Sequence, residues 1–305
     1  MKSIPPHRIK TISEYHLHRG LPKPEHPLVS VIHFDELEQL NSLETSYIFD
    51  FYSIALKRNF DSKVKYKYGQ QSYDFDEGIM FFISPNQVFS VETDGEYKLS
   101  GWMLLVHPDF FSHSTMAKTI KQFDYFSYST NEALHLSDKE ETIIITIFKS
   151  IQQEYHSNID KFSQQLIITQ IELLLNYSNR FYDRQFITRQ TNNNQILIRL
   201  EQLLIDHFDN NKIIDNGLPT VQFVANALHM TPNYLSALLK QLTGESTQHH
   251  IQNKLIEKAK EKLATTDLSV SEIAYQLGFE YPQSFSKIFK SKTNLSPVEF
   301  RQSLN

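Results

Sequence analysis

The sequence predicts an α+β protein of two domains, a strand-rich first part trailed by helices and an all-helical second part. Three observations predict it. Apolar residues recur at a period near two between about residues 45 and 106. The period turns helical after about residue 137. The last ~90 residues contain an internal repeat whose two copies are joined by one amphipathic segment.

The bulk properties fit that class. A chain of 305 residues is long enough for two cores, and 40% apolar with 21% charged residues reads as globular. No stretch approaches ~18 uncharged apolar residues, so no membrane partner is expected. The N-terminus MKSIPPHRIK has no apolar run behind its basic residues, which argues against a secretory signal. The chain has no cysteine, which excludes disulfides, thiolate metal sites and cysteine nucleophiles and suits a reducing cytoplasm. With 8 glycines and no serine elbow, P-loop or dinucleotide fingerprint, neither a catalytic residue nor a cofactor is predicted. Net charge is −5 but uneven: residues 217–305 carry 9 Lys/Arg against 7 Asp/Glu, and residues 1–216 carry 21 against 28. That basic excess is too small to identify a DNA-binding segment by charge, so pattern has to do so.

Residues 1–44 read as irregular, punctuated by Pro5, Pro6, Pro22, Pro24 and Pro27. The strand candidates that follow are TSYIFDFYSIAL, KVKYKY, SYDFD, IMFFIS, QVFSVE and YKLSGWMLLV, separated by Asp, Gly, Asn and Pro turns. Short strands so close together predict an antiparallel barrel or sandwich over about 45–106, and a barrel is taken as the expectation. Ser137 or Asp138 caps a helix reaching about Ser157. A second helix spans about Asp160 to Tyr182, and its stripe of Leu166, Ile167, Gln170, Leu173, Leu174 and Tyr177 is the candidate homodimer surface. Residues 183–194, including Thr191-Asn192-Asn193-Asn194, lack an apolar stripe and read as a linker.

The repeat pairs residues 224–246 with 273–296. Val224-Ala225 aligns with Ile273-Ala274 and Leu228 with Leu277. After one extra residue in the second turn, Leu235 aligns with Phe285, Ser236 with Ser286, Leu239 with Phe289, Lys240 with Lys290, Thr243 with Thr293 and Ser246 with Ser296. Each copy starts at a cap, Thr220 in the first and Ser269 with Glu272 in the second, the latter a capping box. A small residue, Ala225 or Ala274, sits where another helix could cross closely. After a tight turn a second helix begins with Pro232 or Pro282 in its first turn. Its inner stripe is Leu235, Leu238, Leu239 and Leu242, or Phe285, Ile288 and Phe289. Its outer face is Asn233, Ser236, Ala237 and Lys240, or Gln283, Ser286, Lys287 and Lys290. This is the pattern of two helix-turn-helix units, at about 220–242 and 270–291, whose partner would be double-stranded DNA. The segment 247–264 between them has apolar residues at 251, 255, 259 and 263. As a rod of ~18 residues it would be ~27 Å long, near the ~34 Å spacing of successive major-groove segments.

The stretches HMTPNYLSALLKQLTG, AKEKL and SVSEIAYQLGFEYPQSFSKIFKSKTNLSPVEFR resemble the AraC/XylS family of bacterial transcriptional regulators. The resemblance covers roughly residues 195–305, and the earlier residues match only the family's layout. It implies a cupin-like N-terminal barrel with dimerisation helices in 1–182 and a DNA-binding domain in 195–305. It places base-facing positions at Asn233, Ser236 and Ala237, and at Gln283, Ser286 and Lys287, with Ser284 on the same face. Lys240 and Lys290 fall at phosphate-contacting positions, and Tyr234 is either a core edge or a phosphate donor. Asn294 stands where the family usually has Gly, and Lys254 where Arg is common. The family layout also implies a small-molecule effector, with Phe49, Tyr66, Phe82 and Trp102 as candidate lining, and RNA polymerase as a partner if the protein is an activator. A stripe of aromatics is more often plain core. The competing reading is a metal-dependent cupin-like enzyme fused to a DNA-binding tail. On a strand, His16 and His18 would share a face as a metal pair needs, but no Glu and third His follow at barrel spacing, so surface histidines are expected and no metal ligand is assigned.

Overall fold

The computed structural model describes residues 6–36, 45–58, 78–91, 100–129, 132–157, 160–188, 190–209, 213 and 217–303. The chain divides into two compact units, Met1–Gln185 and Phe186–Asn305.

Among its described residues the first unit has two sheets. One has the order β1 (His7–Ile9), β3 (Thr45–Phe49), β6 (Val88–Val91). The other has the order β2 (Val29–His33), β7 (Ser100–Val106), β4 (Tyr52–Arg58), β5 (Ile79–Ile83), β8 (Leu134–His135). Among the described residues these sheets are not closed into the expected barrel; they form the layered alternative. The break falls at Asp50-Phe51, inside the run that reads as one apolar segment. There Asp50 N–H donates to the Ile9 carbonyl (3.1 Å), and the chain passes from the small sheet to the large one. The β1–β3 pairing is parallel, so the small sheet is not purely antiparallel either.

Residues 1–44, expected to be irregular, hold β1, β2 and the helix α1 (Ile12–His18). β1 has three residues and gains its partners from β3. β2 is buried at four successive positions, so it shows no alternation to read. The segments KVKYKY and SYDFD, and Tyr66 with them, lie outside the described residues.

The large sheet has two distinct faces. Strand register puts Leu56 opposite Trp102 and Ile54 opposite Leu104 on one face. That face meets the helices: Trp102 stacks on Phe148 of α3 (Asp138–Tyr155), and Phe82 meets Tyr125 at 4.5 Å between ring centroids. The other face carries Ile32, Leu105, Met103 and Lys57 toward α1 and the small sheet. Ile9, Ile12, Tyr15, Phe49 and Phe51 pack there with Ile32 and Leu105.

α3 starts at the expected cap, where Ser137 N–H donates to Glu140 Oε2 (2.9 Å). α2 (Met116–Thr119) is a short helix before it, and α4 is longer than expected, Ser163–Thr188. Asp160 Oδ1 accepts from the N–H groups of Phe162 (2.7 Å) and Ser163 (3.1 Å), which satisfies the helix start. The segment 183–194, expected as a linker, is helical at both ends, because α4 reaches Thr188 and α5 (Gln190–Asp209) begins two residues later. Its N-terminal half is anchored by buried side chains. Gln185 Oε1 accepts from His135 N–H (2.8 Å) and its Nε2 donates to the Ala133 carbonyl (3.2 Å). Such pairings between residues about 50 apart leave no helical stripe in a local window.

Among its described residues the second unit is helical: the end of α4, α5, then α6 (Val221–Ala227), α7 (Pro232–Thr243), α8 (Thr247–Thr265), α9 (Val270–Gln276), α10 (Pro282–Thr293) and α11 (Pro297–Gln302). α8 is its hub. Its buried positions Ile251, Leu255, Ile256, Ala259 and Leu263 join one core with Leu235 and Leu239 of α7 and Phe285 and Phe289 of α10.

Candidate nucleic-acid interface

Two helix pairs, α6–α7 and α9–α10, have the same construction. Thr220 Oγ1 accepts from Phe223 N–H (3.1 Å) to start α6. Ser269 and Glu272 form a full capping box at α9: Ser269 Oγ accepts from Glu272 N–H (3.2 Å) and Ser269 N–H donates to Glu272 Oε2 (2.7 Å). The hydrogen bonds from Ser269 hold the Glu272 carboxyl below its ordinary range. Each first helix ends the same way. Met230 N–H reaches back to the Ala225 carbonyl (2.9 Å) and Phe279 N–H to the Ala274 carbonyl (3.0 Å). The residue between them must adopt positive φ, and it is His229 (59°) in one pair and Gly278 (80°) in the other. Ala225 and Ala274 are both fully buried, as are Leu235, Leu238, Leu239, Phe285 and Phe289, whereas Leu242 and Ile288 at the edges of the two inner stripes are half-buried.

The outer faces follow from that packing. In α7, Asn233 and Lys240 are exposed, and Tyr234, Ser236 and Ala237 are partly so. In α10, Gln283, Ser284, Lys287 and Lys290 are exposed and Ser286 is partly so. The ten positions therefore fall into two groups, one on each second helix. Two hydroxyls have internal partners: Ser236 Oγ lies 3.0 Å from Thr247 Oγ1, and Ser286 Oγ donates to the Pro282 carbonyl (3.1 Å). Tyr234 packs edge-on against Phe186 at 5.1 Å between centroids. Thr247, which locks Ser236, is fully buried at the start of α8 and carries no sequence signal of that contact. Tyr281, exposed just before Pro282 and two residues from Gln283, is a further polar group on the α10 side. An aromatic ahead of a proline-started helix was the available signal.

α8 turns its lysines to other uses. Lys254 pairs with Glu257 (3.0 Å) and Lys258 with Glu261 (2.8 Å). Lys262 Nζ donates to Gln276 Oε1 (2.9 Å), and Lys260 lies 5.8 Å from the Phe300 ring centroid. The helix is a spacer of 19 residues, about 28 Å at 1.5 Å per residue.

The first unit separates the residues expected to line an effector pocket. Phe49 lies on the small sheet, stacked on Phe51. Phe82 and Trp102 lie on the helix-facing side of the large sheet. Phe49 packs with Ile32 and Leu105, on the opposite side of the large sheet from Phe82 and Trp102. His16 and His18 lie on the helix α1 rather than on a strand. His16 is buried, not superficial, with Nδ1 at 2.5 Å from the Pro22 carbonyl and Nε2 at 2.8 Å from Ser30 Oγ. His18 instead stacks on His7. Among the described residues no group of three or more His, Asp or Glu is placed to hold a metal, and no helix is long and apolar enough to cross a membrane.

Residues 224–303 match the model of a family described as a helix-turn-helix domain. The chain is 30% identical over 142 residues to the uncharacterized transcriptional regulatory protein YesN of Bacillus subtilis, covering 46% of this chain and 37% of YesN. It is 24% identical over 243 residues to the uncharacterized HTH-type transcriptional regulator YfiF of the same organism, covering 77% of this chain and 72% of YfiF. Among solved structures, the C-terminal domain of AraT, a response regulator from Geobacillus stearothermophilus, is 33% identical over 35% of this chain and 84% of that one, with a TM-score of 0.31. The C-terminal unit is thus an AraC-type double helix-turn-helix domain. The chain spans little more than a third of YesN.

Proposed function

We infer that the protein is a sequence-specific DNA-binding transcriptional regulator that inserts α7 and α10 into successive major grooves. One observation supports this most strongly. Two equivalent helices present polar outer faces at repeat-matched positions, and both pack on the apolar face of α8. Asn233, Gln283 and Lys287 are the base readers in this reading, and Lys240 and Lys290 contact phosphate. Selection of bound duplexes from a random pool at ~0.15 M salt tests it. Two enriched blocks about one helical turn apart are expected. Enrichment of no motif would overturn it.

The first unit serves effector sensing and dimerisation in the same reading. On α4, Ile167 and Leu174 are buried, whereas Leu166 (48% exposed), Leu173 (47%) and the preceding Phe162 (58%) leave an apolar ridge outside. A second copy covering that ridge is the dimer proposed. Replacing Leu166 and Leu173 together with Asp is expected to convert a dimer to a monomer in sedimentation, and a wild type monomeric at micromolar concentration would refute it.

A further inference from the structure

Each outer helix, α7 or α10, is followed by a short turn and another helix, α8 or α11. The repeat that aligns Ser246 with Ser296 sets Thr247 against Pro297. The chain enters both following helices alike: Ser246 (φ −74°, ψ 163°) and Ser296 (φ −68°, ψ 157°) are extended N-caps. Thr247 and Pro297 come next, each the first residue of its helix and each buried. The two joints differ there in a hydroxyl, which Thr247 has and Pro297 lacks.

That hydroxyl meets a position expected to face bases. Thr247 Oγ1 lies 3.0 Å from Ser236 Oγ. Thr247 is fully buried, so whichever hydroxyl donates, the bond turns the Ser236 oxygen toward the start of α8. A serine that reads a base edge has to turn its oxygen into the groove instead. Doing so would strip a fully buried hydroxyl of this partner, a cost that one exposed hydrogen bond to a base does not offset. The matching Ser286 has no such tie. Its Oγ donates to the Pro282 carbonyl of its own helix (3.1 Å), and its lone pairs can still accept from a base amine. Beside Ser236, Ala237 offers only a methyl group, whereas Lys287 beside Ser286 is an exposed cation.

We propose that Thr247 is a positioning residue for sequence readout. By holding Ser236 it withdraws one reader from α7, so the DNA block under α7 is read at fewer positions than the block under α10. This rests on the reading of α7 and α10 as groove-inserted helices, and it assigns the difference between their blocks to one buried hydroxyl.

The test uses the full-length protein and the operator selected from the random pool, with every position of both blocks permuted through the four base pairs. Thr247→Val removes the hydroxyl at nearly constant shape. α7 and α8 stay tied by Thr243 Oγ1 to His250 Nε2 (2.9 Å) and by Asn253 Nδ2 to Glu245 Oε2 (2.7 Å). Thr247→Val is expected to create a new base preference of about three- to tenfold at one position of one block, the worth of one hydrogen bond. Adding Ser236→Ala to Thr247→Val should erase that preference. Thr247→Pro copies the second unit, should act as Thr247→Val does, and serves where Thr247→Val does not fold. On the unaltered protein one block should already hold fewer discriminating positions than the other. Equal blocks, no sharpened position with either Thr247 variant, or a new preference that survives Ser236→Ala would each overturn the role of Thr247. Those results leave two enriched blocks in place and so spare the reading of α7 and α10. A pool that yields no block at all removes that reading, and the role of Thr247 with it.

Discussion

The two helix-turn-helix units share a scaffold and differ in where they put charge and where they need glycine. Their inward positions are matched, Val224, Ala225, Leu228, Leu235 and Leu239 against Ile273, Ala274, Leu277, Phe285 and Phe289, and all ten are buried. The outer face of α7 carries one lysine, Lys240, and its central hydroxyl is held by Thr247. The outer face of α10 carries Gln283, Lys287 and Lys290, with Lys292 in the last turn. Positive φ is also distributed in opposite ways. The first unit has His229 in the turn and Gly244 after α7, whereas the second has Gly278 in the turn and Asn294 after α10. The difference teaches that packing, not turn type, decides which left-handed position must be glycine. A Cβ at Gly278 would lie 3.0 Å from Ile213 Cγ2 and 3.2 Å from Leu218 N, while one at Gly244 would meet nothing within 4 Å.

This contrast can be broken or sharpened in order of expected effect. Phe285→Ala empties a fully buried position in the second unit and should cost about 3–5 kcal/mol in urea unfolding, somewhat more than Leu235→Ala at its counterpart in the first. Equal losses would mean that the smaller site collapses less completely. Gly278→Ala is strained by its positive φ and by the backbone beside it, and a destabilisation of about 1–3 kcal/mol is expected. His229→Gly should change stability by less than about 1 kcal/mol, because the exposed histidine is held by nothing comparable. If the two turn variants behaved alike, the packing argument would fail.

The DNA-binding contrast is next in size. Lys287→Ala should weaken specific binding by about 1–3 kcal/mol in a titration on the selected operator. Ser236→Ala should cost less than about 0.5 kcal/mol, because its hydroxyl is already bonded within the domain. Equal loss for Lys287→Ala on operator and random DNA would instead assign that lysine to the phosphate backbone. The smallest effect is expected at the second cap, where Asn294→Gly should shift stability by no more than about 0.5 kcal/mol, since Asn tolerates the left-handed region.

Legibility divided along the same lines as these effects. The repeat could be read because its signals are local: a cap, an alanine, a turn and a proline within about twenty residues, written twice. The outer faces then followed from helical period alone. What the period could not reveal was Ser236 meeting Thr247, or Tyr234 meeting Phe186 across 48 positions. The first unit was less legible because its elements are specified by distant partners. β1 is three residues long and exists through β3, and β2 has no alternation because both of its faces are covered. The sides of the aromatic residues were hidden for a related reason: Phe82 and Trp102 alternate onto the helix-facing side, against Tyr125 and Phe148, while Phe49 packs toward α1.

The central claim is that α8 holds α7 and α10 at a fixed separation so that both units read one face of the duplex. It is tested most directly by inserting about five base pairs, half a helical turn, between the two blocks of the selected operator. The account predicts that affinity falls to that of an operator with one block scrambled, because a rigid 19-residue helix cannot carry the second unit around the duplex. Undiminished affinity on the inserted site would contradict it.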